Sequence, residues 1–164
     1  MPAPGAQFLT RPGLPGGFGA LMDEFARAAE DFCRTLENLP PGALDWEQPS
    51  DDPDTKTLRT LCAHVIGAAR RHTNYIRQAR GLPVDETRPD PALLVTPSDV
   101  RARLADALRY AEGALDGLYH ADGETVMAIR FQARWGPTYD PEMMLEHAIV
   151  HVLRHRRQME RWSR

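Results

Sequence analysis

Four stretches of this chain carry apolar residues at the i, i+3, i+4 spacing of an amphipathic helix, and proline or glycine interrupts the chain between them. The first runs from Phe18 to Leu39 with Leu21, Met22, Phe25, Ala29, Phe32 and Leu36 on its stripe, and Pro40, Pro41 and Gly42 stop it. The second runs from Thr57 to Arg80 with Leu58, Leu61, Cys62, Val65, Ala69, Ile76 and Ala79, and ends at Gly81, Leu82 and Pro83. The third takes Ser98 as its N-cap and Asp99 in its first turn, carries Val100, Leu104, Leu108, Ala111, Leu115 and Leu118, and ends near His120. The last opens with Asp140 as N-cap and Pro141 at the first helical position. It reaches about Trp162, with Arg154, Arg156, Arg157 and Arg161 near the end whose dipole favours cations. Four helices of roughly 20 to 24 residues, each with one apolar face, bury those faces most simply as an all-α four-helix bundle with long inter-helix loops.

The bundle domain spans residues 18–164. Residues 1–17 hold Pro2, Pro4, Pro12 and Pro15 among glycines, which favours neither helix nor strand, so this arm is either mobile or a packed, extended lead-in. Gly17 and Gly19 form half of a dinucleotide-binding signature, but Met22 stands where its third glycine belongs and no strand precedes them. In the connection from Ala121 to Tyr139, Thr125 to Phe131 lean toward a short strand or an extended crossing, and no sheet is expected.

Composition narrows the function classes. With 42% hydrophobic and 26% charged residues the chain is not disordered, and 164 residues bury a full core without disulfide or metal staples. A metal here would therefore be functional rather than structural. The net charge of −3 argues against general nucleic-acid binding, and Lys56 is the only lysine. No run of apolar residues suits a membrane span and no leader pattern opens the chain, so a cytoplasmic protein is expected. Cys33 and Cys62 fall in apolar-periodic stretches outside any CxxC pair and read as reduced core thiols.

Three of the six histidines, His147, His151 and His155, lie in the last stretch. At about 100° per residue, His151 and His155 fall inside the apolar face with Met144, Ala148, Val152 and Met159, while His147 sits at its border. Side chains at i and i+4 have Cβ atoms about 5–6 Å apart, so two core-facing imidazoles one turn apart can chelate one ion. Left unpaired there, they would carry a desolvation cost. A third ligand must come from another helix, and the second stretch offers His64 and His72. They are about 12 Å apart along the axis at 1.5 Å per residue, so they cannot share an ion. Periodicity alone slightly prefers His72, which lies nearer the middle of the stripe.

The segment Thr57-Leu58-Arg59-Thr60-Leu61-Cys62-Ala63-His64 follows a T-x-R-x-x-x-x-H pattern, and His151-Val152-Leu153-Arg154-His155-Arg156-Arg157-Gln158 approximates H-x-x-x-H-R-G-Q. Together they resemble the DinB/YfiT-like family of metal-binding four-helix bundles, and Trp135-Gly136 resembles a loop common in that family. The chain departs from the pattern at Arg157, where glycine is frequent, and at Lys56, where tryptophan is frequent; neither removes a ligand. The resemblance implies that His64, His151 and His155 ligate the metal and that His72 is a core or surface histidine.

Three imidazoles leave positions free for water or substrate, the mark of a reactive site. Zinc or nickel suits such ligation best, with manganese or iron as alternatives. Gln158, one turn beyond His155, is the candidate to support a ligand from behind, and Trp135 and Tyr139 either border the pocket or pack in the core. No Glu-x-x-His pair, HExxH, G-x-S-x-G or P-loop is present, which removes the ferritin-like, zincin, serine-hydrolase and NTPase classes.

The resemblance implies the first of two competing kinds of function. One is a metal-dependent S-transferase that joins a small-molecule thiol such as bacillithiol, mycothiol or glutathione to an electrophile. The other is a non-catalytic metal- or ligand-binding stress-response bundle. It also implies a homodimer, and Leu93, Leu94, Val95 and Phe131 in the long connections would supply its interface or cover the bundle ends.

Overall fold

The computed structural model describes residues 3–162; Met1 and Pro2 of the lead-in, and Ser163 and Arg164, lie outside the described residues. Four long helices, α1 (Gly16–Glu37), α2 (Leu58–Ala79), α3 (Pro97–Ala114) and α5 (Pro141–Trp162), account for most of the chain, with a short α4 (Gly123–Ala128) before the last. Each long helix packs against two others, α1 on α3 and α5, α2 on α3 and α5, which closes a ring around one apolar interior. Phe25, Phe32, Leu61, Leu104, Leu108, Met144 and Met159 have no exposed surface there. Cys33 and Cys62 are free and buried in the same core, where desolvation pushes the Cys33 thiol up to about 12. No helix among the described residues is long and apolar enough to cross a membrane.

The helix starts follow from capping. Thr57 caps α2 in a box with Thr60, each side chain accepting from the other's backbone N–H at 3.1 Å. For α3 the cap is Thr96, not Ser98. The Asp99 carboxylate accepts from Thr96 N at 2.7 Å, and Pro97 takes the first helical position, where its missing N–H costs nothing. The helix also stops at Ala114, and Leu115 and Leu118 stay buried in the turns that follow.

A small sheet is present where none was expected. Asp122 accepts from Thr125 N at 2.8 Å and starts α4, so the cap overrides the β preference of Thr125 and Val126. Strands β1 (Phe131–Gln132) and β2 (Thr138–Tyr139) then pair antiparallel, Phe131 opposite Tyr139. Gly136, at φ +118°, lets the chain reverse between them.

The proline-rich lead-in is packed. Phe8 is fully buried, and the Thr10 and Arg11 amides donate to the buried Glu112 carboxylate at 2.8 and 2.9 Å. Gly19 also finds its role here, because a Cβ at that position would overlap the Leu14 carbonyl. Gly19→Ala is expected to cost about 1–3 kcal/mol, as overpacking does. A thermal melt should show the loss, whereas Gly123→Ala, where a Cβ meets nothing, should melt like the parent. Equal melting of Gly19→Ala and parent would mean that the lead-in does not press on α1.

Of the apolar residues in the long connections, Leu94 is buried and Phe131 stacks on Tyr75 with ring centroids 5.8 Å apart. Leu93 and Val95 remain exposed.

Candidate metal centre

The packing of α5 on α2 sets His64 opposite His151 and His155. Nε2 of His151 lies 3.1 Å from Nε2 of His64 and 3.3 Å from Nε2 of His155. Three nitrogens bound at 2.0–2.1 Å around a tetrahedral ion are about 3.3–3.4 Å apart. The spacing thus fits one shared cation, and the three side chains together form a potential metal-binding group.

Proton placement leads to the same reading. His155 Nδ1 faces Gln158 Oε1 at 2.8 Å, and the amide oxygen only accepts, so Nδ1 carries the hydrogen and Nε2 holds a lone pair toward the cluster. His151 Nε2 then has to donate to serve His155, and a single proton is left to satisfy two neighbouring nitrogens. A cation between the rings resolves that shortage. Burial holds all three imidazoles below the ordinary histidine value, that of His151 at about 2, so at neutral pH none of the three rings is charged.

His64 Nδ1 is buried without a hydrogen bond, and the Asp54 carboxylate approaches it at 3.5 Å. Asp54 is the residue that sequence reading passed over. It belongs to the acidic run Asp51, Asp52, Asp54, whose signal was only that of a polar loop. Arg71 was missed as well: after desolvation, its positive charge is the next cause lowering His64.

His72, which periodicity alone preferred, is not in the group. It is buried beside it, with its ring centroid 5.3 Å from that of His151 and 4.9 Å from that of His147. Trp135 stacks on His147 at 4.9 Å and donates from Nε1 to the Tyr139 hydroxyl at 3.1 Å. Trp135 is half exposed and Tyr139 half buried, and both rings meet His147, so this pair forms an aromatic rim beside His147 and His72.

Residues 24–159 match the family described as the DinB superfamily. No curated protein and no solved structure matches the chain.

Proposed function

The chain belongs to the DinB superfamily, and on that premise we propose that it is a cytoplasmic four-helix-bundle enzyme, a divalent-metal-dependent thiol S-transferase. His64, His151 and His155 would hold the ion, zinc or nickel in preference to manganese or iron. The single observation that carries the reading is the convergence of three imidazole nitrogens at 3.1 and 3.3 Å. When bound, the ion supplies Lewis acidity that favours the thiolate form of a thiol at neutral pH. Gln158 orients His155 by accepting from Nδ1, and Asp54 is placed to do the same for His64. The thiol sulfur attacks the electrophilic carbon, a C–S bond forms, the leaving group departs with its electron pair, and the thiol proton passes to solvent. A homodimer belongs to this reading, with Leu93 and Val95 as the apolar residues exposed for it.

Monochlorobimane gives a direct assay, since chloride is displaced and the thioether fluoresces. Metal-loaded protein is expected to accelerate its conjugation with bacillithiol, mycothiol or glutathione, and metal-stripped protein to leave the background rate. A rate at background with all three thiols, in protein that holds its metal, would move the assignment to a non-catalytic binding bundle.

A further inference from the structure

Beside the histidines, α2, residues 85–88 and the turn of the hairpin enclose an open cavity of about 400 Å³. Its lining includes Arg71 from the helix, Arg88 from the connection and Arg134 from the turn. The three come from elements far apart in sequence, so no helical repeat brings them together. Among the described residues, none of their guanidinium groups has a hydrogen bond or an ion pair. We propose that this cavity binds a small molecule carrying two or more carboxylate or phosphate groups, held by Arg71, Arg88 and Arg134. The inference concerns a second site and stands whether or not the histidines take a metal.

Exposed arginines are ordinarily solvated, so the contrast within α2 matters. Arg70 pairs with Asp85 at 2.8 Å, Arg77 donates to the Pro83 carbonyl at 2.6 Å, and Arg80, the C-cap that follows the helix, donates to the Ala114 and Asp116 carbonyls at 2.6 and 2.7 Å. Arg71, on the same helix, has no such partner and faces the charges of Arg88 and Arg134, with Asp54 the opposing charge nearby. The acids of the lining do not neutralise the three. Asp85 is engaged by Arg70 and by the Thr87 amide at 2.9 Å, and Glu86 alone is left against them. Three gathered cations repel one another, and a multivalent anion removes that cost while planar guanidinium forks match carboxylate and phosphate oxygens.

The same elements also bring aromatic rings to the cavity. Tyr75, half-exposed Trp135 and His72 line it beside the arginines, and His72 is over nine-tenths buried, its Nδ1 without a hydrogen bond among the described residues. A ligand with a flat body can stack on one of these rings while its anionic groups meet the arginines. The His72 ring also packs against His151, so an anion held here sits one side chain from the three histidines.

The test uses the full chain, stripped of metal by a chelating resin and then titrated calorimetrically with citrate, pyrophosphate and acetate. Citrate or pyrophosphate is expected to bind saturably at one site, and acetate at least about tenfold more weakly. The preference between the first two identifies carboxylate or phosphate as the recognised group. Arg71→Gln/Arg134→Gln should weaken binding by about tenfold or more while keeping the parent's circular dichroism, since neither guanidinium supports the fold. Arg103→Gln, an exposed arginine on α3, should bind like the parent. No saturable binding by either polyanion, or equal affinity in the folded double variant, would overturn the proposal.

Discussion

His151→Ala protein, purified without a histidine tag, is expected to emerge with little or none of the divalent metal that the parent retains. His151 Nε2 is the nitrogen the other two share, 3.1 Å from one and 3.3 Å from the other, so its loss leaves His64 and His155 with no common neighbour. His155→Ala should behave alike, because it leaves the ion two imidazole ligands in place of three. Gln158→Leu tests the support behind His155: without the acceptor at Nδ1 the ring is free to change tautomer, and affinity should fall roughly 10–100-fold. His120→Ala, on an exposed histidine after α3, should retain the parent content. Elemental analysis by mass spectrometry reads all four variants, and circular dichroism confirms that each is folded. Equal metal in parent, His151→Ala and His155→Ala would end the three-histidine assignment.

The four long helices were legible because each needed only local information: a stripe of apolar residues and a stop made of proline or glycine. The ends were less so. Thr96, Pro97, Ser98 and Asp99 hold two candidate caps in a row, and only the reciprocal side-chain-to-backbone bonds between Thr96 and Asp99 decide between them. Asp122 decided α4 in the same way, against the β preference of the residues that follow.

The histidine group was legible in part. A helical wheel reports angle and nothing about height, so it set His72 nearer the middle of the stripe than His64. The choice depends on which turn of α2 lies level with His151 and His155, and only packing determines that. The family pattern, not periodicity, pointed to His64. Asp54, Arg71, Arg88 and Arg134 acquire meaning only when loops close over α2, which no spacing in the sequence announces.

Arg101→Met is expected to destabilise the fold by about 2–3 kcal/mol, somewhat below the range for breaking a fully buried ion pair, because Arg101 keeps a partly exposed side chain. Its guanidinium donates to Glu30 at 2.7 and 3.3 Å and to Glu37 at 2.7 and 2.9 Å. Glu30 lies almost wholly buried on α1, and Arg101 is the largest cause holding its carboxyl below the ordinary range. Arg34, at 2.7 Å, and Gln7 would remain as partners, but Arg34 is mostly exposed and compensates only in part. At roughly 2–4 °C per kcal/mol for a chain of this size, the melting temperature should drop by several degrees. The sign of the pH dependence follows from the lowered carboxyl. Its contribution is complete above the unfolded value of about 4.3 and is lost as pH falls through the depressed folded value, so parent and variant should converge in acid. Glu30→Met/Arg101→Met should recover part of the loss, because neither charge is then left buried without a partner. Thermal melts of the parent, both single variants and the double variant at neutral and acid pH close the cycle. Strictly additive losses at neutral pH would show that the pair acts through packing and not through charge.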